Sequence, residues 1–172
     1  MTPEFSRVER LDTIGEREHA VEIAATADER AGLAARFGLL SVNALEGRFT
    51  VRREAAGITV RGRVTADVVQ ACSVTGEPLP AKLDEPVALL FVEAFGEGDE
   101  EVELAGDALD TVEIEGGGID LGEAAAETMA LALDPFPRSP NAEAALKAAG
   151  VLGEDEVGPF SGLKALKDKL EG

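Results

Sequence analysis

The chain has very few of the residues that carry most catalytic and metal-binding chemistry. Its 172 residues include one cysteine, one histidine, no tryptophan and no tyrosine. A single cysteine excludes an internal disulfide, and Cys72 with His19 falls short of the four ligands of a structural zinc site. Cys72 also has no neighbouring base or cation in the sequence to activate it as a nucleophile. We therefore expect Cys72 to be a buried structural thiol, and His19 to be exposed and without a catalytic role.

Long apolar runs and nucleotide-binding loops are absent as well. No stretch approaches the ~18 apolar residues of a membrane span, and the charged first ten residues lack the apolar core of a signal peptide, so we expect a cytoplasmic protein without a membrane partner. The three glycines at 116–118 have acidic neighbours and no lysine, and they predict a flexible connection rather than a phosphate-binding loop. The sequence thus predicts neither an enzyme nor a bound cofactor or metal.

Negative charge is concentrated in one segment. The whole chain has a net charge of −18. Residues 1–70 carry ten arginines and eleven acids (10 − 11 = −1), residues 71–134 carry Lys82 and seventeen acids (1 − 17 = −16), and residues 135–172 carry five bases and six acids (5 − 6 = −1). The segment 71–134 opposes contact with nucleic acid, which depends on Lys and Arg, and it attracts basic proteins. The alternative, a surface that only maintains solubility, stays open.

Local patterns predict an α+β fold. Short strands are expected at 5–11 and 20–25, a capped helix from Thr26 to Phe37 ending at Gly38, and a hairpin of 48–52 with 58–64 around the turn at 55–57. Further strands are expected through 68–69 to Cys72, at 87–92 in the centre of the sheet, and at 111–115. Asp120 should cap a second helix, with the same capping-box spacing to Glu123, that ends before Pro135.

The remaining segments complete the predicted organisation. Residues 96–107 predict an acidic loop, and 160–170 predict a short amphipathic helix. We expect a single α+β domain at 1–134, whose mostly antiparallel sheet is strongly curved, or curved enough to close partly into a barrel. Residues 135–172 are expected to form a proline-containing tail that ends in the short helix.

Four arginines of the predicted hairpin form a possible RNA contact. Strand alternation places Arg48, Arg52, Arg61 and Arg63 on one outward face. The face lacks the stacking aromatics of sheet-type RNA binders, since Phe49 has the opposite parity. A solvated face paired with acids on neighbouring strands is the alternative, and carboxylate partners for the arginines would favour it.

A third class of function is a metal-dependent nuclease. The neighbouring acids Asp99, Glu100 and Glu101 have the oxygen ligands that divalent cations prefer. Acids clustered in a loop are more often simply solvated, so the sequence gives this interpretation little support.

Several blocks in order resemble one family. Gln70, Cys72, Thr75, Glu77 and Pro78 form a corner motif similar to that of the YceD family, the large ribosomal RNA subunit accumulation proteins. The segments 62–66, 87–95, 119–123 and 131–137, and residues 159–160 with 163–167, resemble other blocks of the same family, so that the likeness covers most of the chain. Many members carry a Cys-x-x-Cys motif at this corner and more cysteines near the C-terminus, which indicates a zinc site. Thr75 replaces the second cysteine here, so a cysteine metal site is not expected.

The resemblance implies a bacterial cytoplasmic factor that affects the synthesis, processing or stability of large-subunit ribosomal RNA. Together with the charge distribution, it leads us to expect a non-enzymatic assembly factor that binds a basic ribosomal or assembly protein through residues 71–134. The alternative is a direct RNA-binding module that uses Arg48, Arg52, Arg61 and Arg63. The oligomeric state is not predicted.

Overall fold

The computed structural model describes residues 3–93 and 109–151 and, singly, 153, 167 and 170. Within them the strands are β1 (Val8–Arg10), β2 (His19–Ala24), β3 (Ser41–Glu54), β4 (Gly57–Ala71), β5 (Pro78–Val92), β6 (Asp110–Glu113) and β7 (Gly118–Asp120). The helices are α1 (Ala27–Phe37), α2 (Leu121–Ala132) and α3 (Ala142–Ala148). The predicted α+β class is confirmed. The predicted acidic loop at 96–107, the acids Asp99, Glu100 and Glu101, and the predicted helix at 160–170 as an element all lie outside the described residues.

The strands form two sheets. The larger has the order β2-β3-β4-β5-β6, and the smaller pairs β1 with β7. Pairing is antiparallel between β2 and β3, between β3 and β4 and between β1 and β7, whereas β5 and β6 run parallel. Over the described strands the larger sheet is open, with β2 and β6 at its edges. The predicted strong curvature and partial barrel closure are therefore not confirmed.

Several predicted strands are longer in the structure, and two elements are new. The segments 58–64 and 68–69 belong to one continuous strand, β4, and β5 begins at Pro78 rather than at Val87. The prediction of a flexible connection at 116–118 is wrong for Gly118, which is buried and pairs with Arg10 in the small sheet. Helix α3 occupies part of the region predicted as a tail.

Both main helices begin where the sequence predicts. Thr26 and Glu29 form the reciprocal capping box of α1, and Gly38 ends it in the left-handed conformation, with φ of 65°. The side chain of Asp120 accepts from the backbone N–H groups of Gly122 and Glu123 at the start of α2. The capping-box spacing predicts that the Glu123 side chain accepts a hydrogen bond from the backbone of Asp120. In the structure the Glu123 carboxylate pairs with Arg36 instead, at 2.6 Å.

The core lies between the large sheet and the two main helices. Its fully buried members are almost all aliphatic, as the scarcity of aromatics requires, and include Leu33, Leu45, Val60 and Leu121. The inward residues of β3 and β4 alternate with exposed ones, which is the pattern of a sheet with one solvated face. Within the described part of the chain, no helix is both long enough and apolar enough to cross a membrane.

The chain divides into two compact units. The large unit comprises 1–70 and 80–135, and the small unit comprises Ala71–Leu79 with the described residues from Phe136 onward. The domain boundary predicted at residue 134 stays a prediction.

An ion pair joins the N-terminal segment of the large unit to the start of α1. Arg7 Nη1 donates to Glu29 Oε1 at 2.7 Å and Nη2 donates to Oε2 at 3.0 Å. The hydrogen bonds from Arg7, opposed by partial burial and assisted by Thr26, lower the pKa of Glu29 to about 2. Glu29 therefore stabilises both the helix start and the segment that leads into β1.

This pair predicts a pH dependence of stability. An unfolded glutamate has a pKa of ~4.3, so the contribution of Glu29 is fully present above that pH and is lost as the pH falls through about 2. We expect Glu29→Gln to lower the free energy of unfolding at neutral pH by about 1 kcal/mol, a value reduced for solvent screening because Arg7 is partly exposed. Urea titrations from pH 7 to pH 2 should show the difference between variant and wild type shrinking. A constant difference would contradict the prediction.

Candidate functional site

The Cys72 corner is a hydrogen-bonded turn within the small unit. Cys72 N donates to Glu77 O at 2.8 Å, and Gly76 N donates to Cys72 O at 2.9 Å. Gly76 has a φ of 74°, a conformation that favours glycine. The turn encloses the Cys72 side chain, which is 3% exposed, so the predicted burial of this residue is confirmed.

Three backbone N–H groups point at the Cys72 sulfur. They belong to Ser139 at 3.2 Å and to Val74 and Thr75 at 3.4 Å each. Burial raises the pKa of the Cys72 thiol, but hydrogen bonds from Thr75 and Ser139 outweigh burial and lower the pKa to about 6. This arrangement stabilises a thiolate at neutral pH.

A polar network lies beside the sulfur. Thr75 Oγ1 donates to Glu77 Oε2 at 2.9 Å and lies 3.3 Å from Ser139 Oγ, and Asn141 Nδ2 donates to Glu77 Oε1 at 3.2 Å. The pKa of Glu77 is lowered by hydrogen bonds from Ser139, Thr75 and Asn141. The network thus joins the turn to the residues that precede α3 in the small unit.

The corner does not fit the zinc site that the resemblance raises for other members of the family. The Thr75 hydroxyl, which replaces the second thiol, is engaged with Glu77 and Ser139. Among the described residues no group of three or more His, Cys, Asp or Glu side chains could hold a metal ion. At this corner the turn is therefore held by hydrogen bonds.

The lowered pKa of Cys72 predicts a titration that can be assigned without ambiguity. The folded thiol should lose its proton near pH 6, against ~8.5 for an unfolded one. Ultraviolet absorbance of the thiolate should therefore rise with a midpoint near pH 6 in the wild type, and Cys72→Ser should show no such rise. Because the folded pKa is the lower one, the folded state gains stability as the pH rises from about 6 to ~8.5. A midpoint above pH ~8 would show that burial outweighs the hydrogen bonds.

The other motif residues flank the corner. Gln70 lies near the end of β4, and its Nε2 donates to the Asp134 carbonyl at 2.9 Å within the large unit. Pro78 is the first residue of β5. Together with the hydrogen bonds of Cys72, Thr75 and Glu77, these positions show that the motif forms a turn and the start of the strand that follows it.

The four predicted arginines share one face of the large sheet. In the register of β3 with β4, Arg48 is opposite Arg63, and Thr50, between Arg48 and Arg52, is opposite Arg61. The predicted common face is therefore what the register shows. Arg48 and Arg61 are exposed, and Arg52 is half-buried.

Carboxylates pair with most of this arginine face. Arg48 lies 3.6 Å from Glu22, Arg63 lies 2.8 Å from Asp84, and Arg52 pairs with Glu54 and lies 3.7 Å from Glu18. Arg61 is close enough to Glu54 to help lower the pKa of that carboxyl, after the larger effect of Arg52. Such pairing is what a solvated sheet face predicts.

His19 also has a carboxylate neighbour, with its Nε2 3.6 Å from Glu9 Oε2. It lies at the first residue of β2 and is partly exposed.

A second feature is a groove in the large unit that local sequence patterns did not predict. It has a volume of about 1430 Å³ and lies between the small sheet, the parallel pair β5–β6 and helix α2. Its apolar lining includes Val8, Leu89, Val112, Ile114 and Leu131. Its acidic lining consists of Asp12, Glu85, Asp110, Glu113, Glu115, Asp120, Glu123 and Glu127, against Arg10 as the basic residue.

Some of these acids have structural roles and others do not. Asp12 pairs with Arg10, Glu123 with Arg36, and Asp120 caps α2. Asp110, Glu113, Glu115 and Glu127 are exposed, and no described cation lies within ion-pair distance of them. In the sequence, only the charge of −16 over 71–134 pointed to an acidic surface. It did not indicate which of those acids come together in the fold.

One family model matches the chain. It is described as large ribosomal RNA subunit accumulation protein YceD, and it matches residues 60–167, more than half of the chain. The match includes the Cys72 corner and the Asp120 cap. No curated protein and no solved structure matches the chain.

Proposed function

This chain belongs to the YceD family, and we propose that it is a non-enzymatic factor in the biogenesis of the large ribosomal subunit. It promotes the synthesis, processing or stability of large-subunit ribosomal RNA in the cytoplasm. The observation that carries this proposal is the family match over residues 60–167, whose description names accumulation of that RNA. The engagement of Thr75 and Glu77 in hydrogen bonds supports a structural use of the motif.

The charge distribution supports contact through a basic protein. Residues 71–134 have a net charge of −16 (1 − 17), and phosphate contacts require the opposite sign. Ribosomal and assembly proteins that bind RNA are basic, and an acidic surface steers them into encounter at a high rate. The partner is therefore a basic ribosomal or assembly protein, with any contact to RNA made through it.

Deleting the gene and restoring it tests the proposed function. We expect deletion to lower the ratio of large-subunit to small-subunit ribosomal RNA, and the wild-type gene to restore that ratio. In vitro, the purified protein should bind one or more basic large-subunit proteins at physiological salt. An unchanged RNA ratio would contradict the proposed function, and tight binding to ribosomal RNA fragments with no protein bound would contradict the proposed mode.

The second candidate is a direct RNA-binding module. The observation in its favour is that Arg48, Arg52, Arg61 and Arg63 share one face; the carboxylate partners of that face weigh against it. Replacing all four with serine should abolish binding of ribosomal RNA fragments if this candidate is right. The matched control removes an exposed arginine elsewhere, Arg17, and should leave binding unchanged.

A further inference from the structure

The groove of the large unit presents an apolar surface bordered by acids that have no ion-pair partner in the described part of the chain. Leu131 on α2 is 88% exposed and Val8 on β1 is 57% exposed, and both line the groove. Large apolar side chains gathered in one exposed depression are typical of interaction sites. Asp110, Glu113, Glu115 and Glu127, which have no cation partner among the described residues, line the same groove.

Helix α2 forms one wall of the groove and lets the backbone of an occupant lie close to it. The residues that line the groove from α2 fall in two neighbouring rows at i, i+4 and i+8. One row is Glu123, Glu127 and Leu131, and the other is Ala124, Thr128 and Ala132. The small residues of the second row let the backbone of an occupant come near, while Glu127 of the first row supplies charge and Leu131 supplies an apolar end.

Strand β6 and the residues after it form the facing wall. Val112 and Ile114 line the groove together with their neighbours Glu113 and Glu115, whose side chains are exposed. Acids therefore lie on both sides of the apolar lining. An occupant that satisfies both walls needs apolar side chains in its middle and positive charges at its flanks.

We propose that this groove binds a basic amphipathic segment, a helix in its simplest form, of the protein partner. This inference rests on the proposed function, because it specifies how the basic partner is held. The groove volume of about 1430 Å³ exceeds the ~300–1,000 Å³ of sites for small molecules and suits a polypeptide. Nucleic acid is excluded by the acids, and an acidic or purely polar segment would leave the apolar lining uncovered. Docking of an amphipathic helix in a groove is a recurrent mode of peptide recognition.

The direct test uses a synthetic helical peptide of leucine and lysine with one tryptophan. The chain contains no tryptophan and no tyrosine, so the emission of the peptide reports binding without background from the protein. We expect binding by the wild type, and at least tenfold weaker binding of a peptide with the same composition whose order destroys the amphipathic period. Equal binding of the two peptides would show attraction by net charge alone and would overturn the inference.

Charge-matched variants locate the binding surface. Glu113→Gln, Glu115→Gln and Glu127→Gln combined should weaken peptide binding about tenfold, since each exposed pair contributes modestly. Leu131→Ser alone should weaken it severalfold without a change of charge.

The control variant changes the same number of charges on other parts of the large unit. It combines Glu16→Gln, Glu22→Gln and Glu46→Gln, and it should bind the peptide within twofold of the wild type. Equal losses in both triple variants would overturn the inference. Circular dichroism should show that all variants are folded.

Two further experiments separate the groove from the proposed function. If the wild-type gene restores the RNA ratio and the groove triple variant does not, the groove carries the function. If both restore it equally, the groove inference fails while the proposed function stands; if the wild type does not restore it, the proposed function itself fails. A photo-crosslinking residue at position 128 should capture a basic protein through a basic amphipathic segment. Crosslinks confined to the chain itself, or to a second copy of it, would overturn the inference.

Discussion

Gly62→Ala is expected to lower the free energy of unfolding by about 3 kcal/mol or more. A β-carbon at Gly62 would overlap the carbonyl oxygen of Arg48 and lie 2.9 Å from the Cα of Phe49. Both are backbone atoms of β3, so no change of rotamer relieves the contact. The two strands would have to separate at the Phe49–Gly62 pair, in the centre of the β3–β4 register. Urea denaturation followed by circular dichroism measures the loss.

Gly15→Ala is the matched control for this prediction. A β-carbon at Gly15 would have no atom within 4 Å, and the residue is exposed. The same chemical change should therefore alter the free energy of unfolding by ~0.5 kcal/mol or less. A similar stability for the two variants would show that β3 and β4 can move apart at little cost, and would contradict the prediction.

Asp120→Ala is expected to lower the free energy of unfolding by about 3 kcal/mol. One oxygen of this carboxylate accepts from the N–H groups of Arg7 at 2.7 Å, Gly122 at 3.0 Å and Glu123 at 3.1 Å, and the other accepts from the hydroxyl of Ser6. Loss of a helix cap costs ~1 kcal/mol. Leaving the partly buried Arg7 N–H without an acceptor costs another ~1–3 kcal/mol.

The conservative replacement Asp120→Asn separates hydrogen bonding from simple packing. Asparagine retains one oxygen for the three N–H donors, and its amide can donate to Ser6. We expect it to recover most of the stability, leaving a loss of ~1 kcal/mol from the missing charge. Equal losses for alanine and asparagine would show that the hydrogen bonds to the remaining oxygen contribute little.

Features specified by neighbouring residues were predictable from the sequence. Such features lie at the helix ends: the capping box of Thr26 and Glu29, the left-handed Gly38 and the Asp120 cap. Each one depends either on residues within three positions of one another or on a single glycine. The hairpin was predictable for the same reason, since Glu54 pairs with Gly57 across a short turn. The outward face of the arginines followed from strand parity alone.

The start of β5 was missed because its prolines argue against a strand. Pro78, Pro80 and Pro86 lie within it, and proline is confined to strand edges. The register explains why they are tolerated: β6 pairs with β5 only from Leu89 to Val92. Before Leu89, that side of β5 is an edge of the described sheet, where a missing N–H removes no ladder bond. This edge depends on where β6 begins to pair with β5, and no local pattern in the sequence of β5 indicates that position.

Local sequence patterns could not predict the groove or the carboxylate partners of the arginines, because both depend on residues that are distant in the sequence. Glu127 on α2 and Glu113 on β6 line the same groove only because the fold brings helix and strand together. Asp84 reaches Arg63 from a neighbouring strand. Charge counting found the acidic segment but did not indicate which of its acids would pair with a cation among the described residues.

The small sheet of β1 and β7 has a consequence for synthesis on the ribosome. Arg7 and Asp120, which meet through a hydrogen bond, are 113 positions apart in the chain. At ~5–20 residues per second, roughly 5–20 s separate the synthesis of β1 from that of its partner strand β7. The adjacent strands β2, β3 and β4 can pair during that interval, but the N-terminal strand cannot. Pairing of β1 with β7 therefore comes late in the synthesis of the large unit, and chaperones that bind exposed apolar segments have that interval in which to act on the N-terminal segment.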